Sequence, residues 1–369
     1  MALKSPPTTP AMVIDLPVVE RNIKRLIDYC QSHDLKLRPH IKTHKSLFMA
    51  RLQLKLGASG LTAAKLGEAQ VMAQAWPDGD RGDLLIAYTA LDTARTAGIA
   101  ELAKEKNVRL AIDSIQAADA LGSASSRTGT VIGVLVDIDC GFGRTGLQNP
   151  AQSLELAQHV EKTGGLRLDG LFTFPGQIAD VPAVQADALG QVQELLQASL
   201  DLWRSKGLEA EIVSGGSTPT TFQSHLVPAL TEIRPGTSIY FDTNCLRGEW
   251  CTIDDCAARL TCTIVSNAVP GKCVMDAGTK TLSSDLNFGG RALGYGHVVE
   301  YPQATIVRLT EEHGELDLSK CDKHPRLGER ITVIANHICP CMNLQESVWL
   351  RDASGSLEPL TIDAQRKLH

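Results

Sequence analysis

The chain has 369 residues, of which 43% are hydrophobic and 21% charged, and its formal net charge is −6. This length is about twice that of a typical domain, and it is enough to bury a full core without disulfides or structural metals. The composition excludes a disordered or fibrous chain, and no apolar run approaches the ~20 residues of a membrane span. The excess of acidic over basic residues argues against nucleic-acid and anionic-membrane partners.

The N-terminal residues and the cysteines indicate the compartment. The opening segment, MALKSPPTTPAMVIDL, has no charged stretch followed by an apolar one, so no secretory signal peptide is predicted. The 10 cysteines are expected to be mostly buried thiols in reducing surroundings. We therefore expect a cytoplasmic protein.

Short apolar runs alternate with helical periods over the first two thirds of the chain. A strand over Met12–Leu16 leads into a helix that Asp15 caps and Pro17 helps to begin. A helix over Leu47–Leu56 is expected to end at Gly57. Further strands are predicted over Leu35–Ile41, Gly60–Ala64, Asp83–Tyr88, Val108–Asp113, Val131–Asp139, Leu168–Phe174, Ala210–Ser214 and Thr231–Pro235.

This alternation predicts an α/β domain with a parallel sheet, for which a doubly wound open sheet and a closed (β/α)8 barrel compete. A dinucleotide-binding open sheet would carry G-x-G-x-x-G after its first strand, whereas the first strand here runs into DLPVVERN, which contains no glycine. The sequence therefore favours a TIM-type barrel, assigned to residues 1–255. The first ~20 residues are an N-terminal segment that can pack with the following domain.

The pattern changes to strands and turns in the last third of the chain, with no long helical period between them. Turn signals occur at Pro270-Gly271, His313-Gly314 and Ser354-Gly355. We assign residues 256–369 to a C-terminal β domain. Its predicted strands are Arg259–Ser266, Lys272–Asp276, Ala304–Leu309, Arg330–Ala335 and Ser347–Arg351.

The segment Leu37–Lys45, LRPHIKTHK, follows a predicted strand and is rich in basic residues. Barrel enzymes build their active sites where strands end. A lysine placed there, such as Lys42, is typical of a Schiff base, because desolvation lowers the pKa of its amine. The alternative is a solvated basic loop. A metal site from His40 and His44 is less favoured, since that spacing needs a helix.

Two glycine-rich loops are candidate ligand sites. The loop Ser214–Thr220, SGGSTPT, can close backbone N–H groups around a phosphate. The loop Asp139–Gly146, DCGFGRTG, lets the backbone approach a ligand and offers Arg144 as a hydrogen-bond donor. Each loop has an ordinary tight turn as its alternative. A lysine together with a phosphate cup indicates pyridoxal phosphate or a sugar phosphate.

The segment N-H-I-C-P-C in the β domain is a candidate metal site. If the segment is extended, residues i and i+2 face the same side, so His337 and Cys339 can share one metal. Cys341 would continue that face, either as a third ligand or as a core thiol, and the second is favoured. Asp276 and Lys280 follow another strand, where a surface ion pair is favoured over a place at the barrel mouth.

Together these segments resemble the D-threonine aldolase and D-serine dehydratase family of alanine-racemase-like (fold type III) pyridoxal-phosphate enzymes. The resemblance covers nearly the whole chain. It is carried by T-P-A-M-V-I-D at 9–15, R-P-H-I-K-T-H-K at 38–45, D-A-G-T-K at 276–280 and H-I-C-P at 337–340. It implies a barrel followed by a β domain that carries a metal site, and a homodimer.

The resemblance also implies roles for individual residues. Lys42 would form the Schiff base with pyridoxal phosphate, and Lys42 and His337 would be the catalytic residues. His337 and Cys339 would bind a divalent metal. The thiolate ligand favours zinc, with manganese or magnesium as alternatives. The remaining cofactor contacts would come from His40, Arg144, Gly215, Gly216, Ser217 and Thr218.

The resemblance implies a lyase that acts on β-hydroxy-D-amino acids, either by retro-aldol cleavage to glycine and an aldehyde or by dehydration to a 2-oxo acid and ammonia. Aldolases of the family often carry His-x-Asp at the metal and Tyr-His-Gly at the barrel mouth. This chain has His337-Ile338-Cys339 and Phe174-Pro175-Gly176, which favour the dehydratase. The loop Asn244–Cys251, NCLRGEWC, is expected to shape the pocket, without an assigned role.

Three alternatives remain at this point. A racemase of the same fold would need a second base, typically a tyrosine, and no metal. A non-catalytic pyridoxal-phosphate carrier would consist of the barrel alone, so the β domain counts against it. A sugar-phosphate enzyme would leave His337 and Cys339 without a function. The sequence leaves open the choice between aldolase and dehydratase, the β-substituent, the stereospecificity at Cβ and the metal.

Overall fold

A computed structural model describes residues 3–286, 290 and 293–369 of the protein. The chain divides into two compact units. The barrel unit comprises Arg25–Lys42, Ser46–Gly236 and Lys367–His369, and the β unit comprises Met1–Lys24, Thr43–Lys45 and Thr237–Arg366. No helix among the described residues is long and apolar enough to cross a membrane.

The strands and helices alternate in the first two thirds of the chain, as the sequence predicts. The strands are β1 (Ala11–Asp15), β2 (Lys36–Leu37), β3 (Leu61–Ala63), β4 (Asp83–Ile86), β5 (Asn107–Ile112), β6 (Ile132–Asp137), β7 (Leu166–Phe172), β8 (Ile212–Gly215), β9 (Glu232–Ile233), β10 (Ala258–Ser266), β11 (Lys272–Met275), β12 (His297–Val298), β13 (Thr305–Leu309), β14 (Gly314–Asp317), β15 (Arg330–Ile334), β16 (Ser347–Arg351) and β17 (Leu357–Thr361). The α-helices are α1 (Leu16–Ser32), α2 (Leu47–Leu56), α3 (Leu66–Met72), α4 (Thr93–Glu105), α5 (Ile115–Thr128), α6 (Pro150–Lys162), α7 (Ala186–Arg204), α8 (Thr243–Arg247), α9 (Thr279–Leu282) and α10 (Ile338–Leu344).

The barrel unit is built on an 8-stranded sheet in the order β2-β9-β8-β7-β6-β5-β4-β3, all pairs parallel. Its two ends are joined behind β2, where Ile41 N donates to Thr62 O at 2.8 Å and Thr62 N donates to Pro39 O at 2.9 Å. The predicted (β/α)8 barrel is therefore confirmed. Every residue of β6 is buried, as expected of a strand covered on both faces.

Charged side chains tie several of these strands together. Arg38, after β2, is 2% exposed, and its Nε lies 2.9 Å from both carboxylate oxygens of Glu232 on β9. Its Nη1 donates to Asp83 Oδ1 on β4 at 2.6 Å. Arg109 on β5 pairs with Asp83 and with Asp169 on β7. Burial lowers the pKa of Arg38, but the carboxylates of Glu232 and Asp83 raise it above its ordinary value. The buried guanidinium of Arg38 therefore stays protonated.

The β unit contains a 9-stranded, mostly antiparallel assembly with the path β13-β14-β11-β10-β1-β16-β17, in which β15 pairs with β10 and β12. The strand predicted over Met12–Leu16 belongs to this assembly, as the sequence allowed for the first ~20 residues. That strand, β1, is antiparallel to β10 and parallel to β16, and these two neighbours complete its hydrogen bonds. The turn signals at His313-Gly314 and Ser354-Gly355 lie where β13 is joined to β14 and β16 to β17.

The division of the chain differs from the predicted boundary between residues 255 and 256. The residues from Thr237 onward already belong to the β unit. The reason is hydrogen bonding: Thr243 N donates to Ala335 O at 3.0 Å, and Ala257 N donates to Tyr240 O at 2.8 Å. The short helical turns between Thr237 and Ala257 are therefore hydrogen-bonded to residues of the β unit.

The loop Asn244–Cys251 supplies part of the β unit's core. Cys245 and Trp250 are buried with Phe241, Cys256 and Ile334 in one hydrophobic cluster, against which Cys251 packs. α8 begins there because the Asp242 carboxylate accepts a hydrogen bond from Cys245 N at 3.0 Å. These contacts make the segment part of the core, and its expected role in shaping the substrate pocket stays a prediction.

Candidate active site

Lys42 lies just beyond the point where the barrel sheet closes. Its side chain is exposed, while Ile41 before it is fully buried. The backbone N–H of Lys42 donates to His40 Nδ1 at 3.3 Å, and His40 N donates to Pro235 O at 3.1 Å. A buried, hydrogen-bonded segment thus presents a single accessible amine at the carboxyl end of a barrel strand, the position at which such enzymes hold their reactive groups.

The loop predicted to bind phosphate follows β8. Gly215 is the last residue of that strand, and Gly216 has a φ of +74°, which favours glycine. Ser217 N donates to Thr220 Oγ1 at 3.1 Å, so the loop is folded back on itself. The hydroxyls of Ser217 and Thr220 also lie 3.1 Å apart. Phosphate binding by this loop, with Ser217 and Thr218, stays a prediction.

Arg144 lies in the loop after β6, which Asp139 organises. The carboxylate of Asp139 accepts hydrogen bonds from the amides of Gly141, Phe142 and Gly143 at 2.9–3.1 Å. Burial raises the pKa of Asp139, but these bonds, that of Gly143 first, bring it below its ordinary value.

The guanidinium of Arg144 stands beside two aromatic rings. Its Cζ lies 5.1 Å from the ring centre of Phe142 and 4.8 Å from that of Phe174, and the two rings meet edge-on at 5.3 Å. Cation–π contact therefore orients the guanidinium. Phe174 is the first residue of Phe174-Pro175-Gly176, the segment that departs from Tyr-His-Gly, and its ring is one of the two that contact the guanidinium of Arg144.

Sequence reasoning missed two buried charged residues of the barrel unit, Asp137 and Arg234. Asp137 ends β6 and is 6% exposed; burial raises its pKa to about 6, against a hydrogen bond from Thr145. Arg234 follows β9, where burial lowers its pKa to about 10. Its guanidinium donates to Ser214 Oγ at 2.6 Å and to Thr173 O at 2.7 Å. For Asp137, the available signal was a charged residue at the end of the otherwise apolar β6.

The predicted metal ligands lie in the β unit at the start of α10. His337 occupies the N-cap position, and Ile338 N donates to Asp242 Oδ2 at 3.1 Å. The segment is therefore helical from Ile338, and the predicted extended geometry is wrong, because the buried Asp242 carboxylate caps the helix. Cys339 lies in its first turn, with Sγ 3.1 Å from Thr43 Oγ1.

Cys341 lies on the same helix as Cys339, but its side chain is in the core of the β unit. Cys341 is fully buried, and its thiol donates to Leu282 O at 2.7 Å and to His337 O at 3.2 Å. Burial raises the pKa of this thiol far above its ordinary value. Cys341 is thus placed as a core thiol, the alternative that the sequence favoured.

The imidazole of His337 is oriented by a carboxylate. Its Nδ1 lies 2.8 Å from Asp285 Oδ2. Burial lowers the pKa of His337, but the side chains of Cys339, Asp242 and Asp285 raise it to about 9. A metal-binding histidine commonly has such a carboxylate at its second nitrogen, so this pair fits a divalent metal.

Within residues 3–286, 290 and 293–369, no three His, Cys, Asp or Glu side chains are gathered into a group that could hold a metal. A site built on His337 and Cys339 would therefore keep positions open for substrate or water.

Asp276 and Lys280 make local contacts within the β unit. Asp276 accepts hydrogen bonds from Thr9 Oγ1 at 2.5 Å and from Thr263 N at 2.8 Å. Lys280 forms an exposed ion pair with Glu312 at 2.6 Å. Lys280 is thus in a surface ion pair, but its partner is Glu312 and not Asp276.

Two family models match the chain in tandem. The alanine racemase N-terminal domain matches residues 14–244, and the serine dehydratase domain matches residues 257–350. The first match covers most of the barrel unit and the second lies in the β unit.

Curated relatives of similar length carry matching names. The chain is 31% identical over 351 residues to D-threo-3-hydroxyaspartate dehydratase of Delftia sp. (strain HT23), covering 90% of each chain. It is 26% identical over 349 residues to D-threonine aldolase of Arthrobacter sp, covering 93% of this chain and 89% of the relative.

Solved structures agree with this likeness. The crystal structure of D-threonine aldolase from Filomicrobium marinum matches with a TM-score of 0.89 and 27% identity, covering 98% of this chain and 97% of that one. A cysteine-to-alanine mutant of D-threo-3-hydroxyaspartate dehydratase, in a metal-free form, matches with a TM-score of 0.87 and 28% identity, covering 98% of both chains.

Proposed function

Because this chain belongs to the alanine-racemase-like family of D-threonine aldolases and D-serine dehydratases, we propose that it is a pyridoxal-phosphate- and metal-dependent lyase of β-hydroxy-D-amino acids. The observation that carries the proposal is Lys42, an exposed amine at the carboxyl end of a strand in a closed barrel. The names of the relatives in both reaction classes support the substrate class.

The barrel unit supplies the residues that would hold the cofactor. Lys42 would bind its aldehyde carbon, the loop from Gly215 to Thr218 its phosphate, and Arg144 its ring, with His40 beside the lysine. When bound, pyridoxal phosphate supplies an electron sink for negative charge at the substrate Cα. The free amine of Lys42 would accept the proton from the substrate Cα.

The β unit supplies the residues that would hold the metal. His337 would use Nε2, because Asp285 engages Nδ1, and Cys339 would use its sulfur. Imidazole and thiolate together suit zinc better than manganese or magnesium. When bound there, the divalent cation supplies Lewis acidity to the β-hydroxyl of the substrate.

We propose dehydration, which gives a 2-oxo acid and ammonia, as the reaction. Retro-aldol cleavage requires a base for the β-hydroxyl proton. Phe174-Pro175-Gly176 stands where aldolases tend to carry Tyr-His-Gly, so Pro175, which offers no proton acceptor, takes the place of the histidine. Retro-aldol cleavage is the second candidate, since one of the most similar relatives is named D-threonine aldolase.

The test is a product analysis on protein loaded with pyridoxal phosphate and Zn²⁺ or Mn²⁺. D-serine, D-threonine and D-threo-3-hydroxyaspartate are supplied separately, with the variants Lys42→Ala and His337→Ala as controls. A 2-oxo acid and ammonia support dehydration, whereas glycine and an aldehyde establish the second candidate. Formation of the L-enantiomer without a metal requirement would establish a racemase. A bound cofactor with no turnover of any substrate would establish a carrier.

We further propose that the protein is a homodimer in the cytoplasm and has no nucleic-acid or membrane partner. The net charge of −6 supports the last two points. Sedimentation of the cofactor-loaded protein tests the dimer, and a monomer over the working concentration range would contradict it.

A further inference from the structure

A network of buried polar side chains joins three neighbouring strands of the barrel unit. The strands are β2, β9 and β8, and β9 lies between the other two. Glu232 on β9 and Ser214 on β8 are both buried, as is Arg38, which directly follows β2. Lys42 lies shortly after Arg38 in the chain, and the predicted phosphate loop begins directly after Ser214. The network therefore runs between the two segments that carry the predicted cofactor contacts.

The hydroxyl of Ser214 is at the centre of this network. It donates to Glu232 Oε1 at 2.5 Å and accepts from Arg234 Nη1 at 2.6 Å. The Glu232 carboxylate in turn accepts from Arg38 Nε at 2.9 Å. Because a carboxylate only accepts and a guanidinium only donates, the direction of each of these bonds is fixed. Ser214 is thus linked to the end of β2 through a single carboxylate group.

Stability alone does not account for buried charges at this place. The core of a barrel is ordinarily filled by branched apolar side chains. A buried ion pair regains little beyond the cost of removing its charges from water, and apolar residues of similar volume often stabilise a core as well or better. What charged hydrogen bonds add is direction, because they weaken steeply away from one geometry. The network is therefore suited to hold β8 and the end of β2 at one fixed spacing.

We propose that Ser214 is a positioning residue whose hydroxyl sets the spacing between Lys42 and the loop from Gly215 to Thr218. The inference rests on the proposed function, which assigns the cofactor aldehyde to Lys42 and the phosphate to that loop. Pyridoxal phosphate is small and stiff, so both of its ends engage only when the two contacts stand at its own length. Without the Ser214 hydroxyl, that spacing must be ordered when the cofactor binds, and the cost lowers the affinity.

A ligand that uses only one of the two contacts does not depend on the spacing between them. Pyridoxal carries the aldehyde without the phosphate, and pyridoxine 5′-phosphate carries the phosphate without the aldehyde. Each is expected to bind Ser214→Ala as it binds the wild type. A merely structural role of Ser214 predicts a different result, because damage to either contact also weakens the ligand that uses that contact alone.

The experiment measures the dissociation constants of pyridoxal phosphate, pyridoxal and pyridoxine 5′-phosphate on the full chain, by absorbance or fluorescence titration. Ser214→Ala is expected to weaken the binding of pyridoxal phosphate ~10-fold and that of the other two ligands less than ~2-fold, since one buried hydrogen bond contributes about this range. Urea unfolding of each variant shows that it is folded under the conditions of the titration.

Ser153→Ala is the matched control in the same unit. Ser153 on α6 is also fully buried, and its hydroxyl likewise makes two bonds. It donates to Pro150 O at 2.8 Å and accepts from Trp203 Nε1 at 3.1 Å. Ser153→Ala is expected to lower the free energy of unfolding and to leave all three dissociation constants unchanged.

A second variant keeps the test available if Ser214→Ala does not fold. Ser214→Cys has nearly the shape of the wild-type side chain, but its thiol is a weak donor. It is expected to show the same pattern as Ser214→Ala, with a smaller loss of affinity for pyridoxal phosphate.

An unchanged affinity for pyridoxal phosphate in the folded Ser214 variants overturns the proposal. An equal loss for all three ligands, or a loss of the same size in Ser153→Ala, also overturns it, since the effect would then be general damage to the fold. If the wild type takes up no pyridoxal phosphate, or if Lys42→Ala binds pyridoxal as tightly as the wild type, the proposed function fails first. The Ser214 variants take no part in either of those two results, so the two failures are distinguishable.

Discussion

Replacing the buried carboxyl group of Asp137 with an amide should stabilise the barrel unit at neutral pH. Burial raises the pKa of Asp137 from 3.8 to about 6 in the folded protein. A raised pKa means that this group contributes stability that is fully present below pH 3.8 and is lost as the pH rises through 6. Asn at this position is neutral at every pH, so Asp137→Asn avoids that loss.

The magnitude follows from the two pKa values. A rise from 3.8 to about 6 corresponds to ~3 kcal/mol, at about 1.36 kcal/mol per pKa unit. Integrated over pH, the advantage of Asp137→Asn in the free energy of unfolding should grow from ~1.6 kcal/mol at pH 5 to ~3 kcal/mol at pH 8. The growth with pH is the signature of the titration, because packing changes alone are independent of pH.

The assay is urea unfolding of cofactor-free wild type and Asp137→Asn at pH 5 and pH 8. Asp139→Asn is the matched control, two residues further along the chain. The folded pKa of Asp139 is lowered below 3.8, so its stabilising contribution is fully present above that pH and is lost only on stronger acidification. Asp139→Asn should therefore destabilise by about the same amount at pH 5 and at pH 8. An effect of Asp137→Asn that is equal at both pH values, or destabilising at pH 8, would refute the reasoning.

Four further variants are informative. Lys42→Ala should lose the covalent cofactor attachment, seen as no cofactor-linked peptide after borohydride reduction, and at least ~10²-fold in turnover; retained linkage would move the Schiff base elsewhere. Asp285→Asn should weaken Zn²⁺ binding ~10–100-fold in chelator competition, and an unchanged affinity would contradict its role in orienting His337. Cys339→Asp should shift the preference from zinc towards manganese when both metals compete, because a carboxylate is a harder ligand than a thiolate. Leu135→Ala, in the fully buried β6, should lower the free energy of unfolding by ~2–5 kcal/mol, and a smaller loss would mean that the strand repacks.

The elements of the barrel were predictable because their signals are local. The eight strands β2–β9 fall within or next to the predicted ones, and α2 has the predicted bounds, ending at Gly57 with a φ of +120°. Asp15 accepts a hydrogen bond from Val18 N at 3.3 Å at the start of α1, as expected of a cap. Periodicity and caps depend on neighbours a few residues apart, which a single sequence contains.

The short strands of the β unit were less predictable. The two residues of β12 carry no period, and β14 and β17 follow turns that were recognised but were not extended into strands. Their pairing partners supply the reason that these residues are extended. A strand of this kind is defined by the bonds of its neighbour more than by its own composition.

The sequence by itself determined the class of protein, the lysine, the glycine loops and the histidine–cysteine pair, because each is a short motif or a local period. Only the tertiary structure decided that β1 belongs to the β unit and that Asp242 caps α10 across 96 residues of sequence. It also decided that Asp285 orients His337 and that Thr43 meets Cys339, at sequence separations of 52 and 296 residues. A hydrogen bond between distant residues leaves no period in one sequence, so it becomes visible only when the folded chain brings donor and acceptor together.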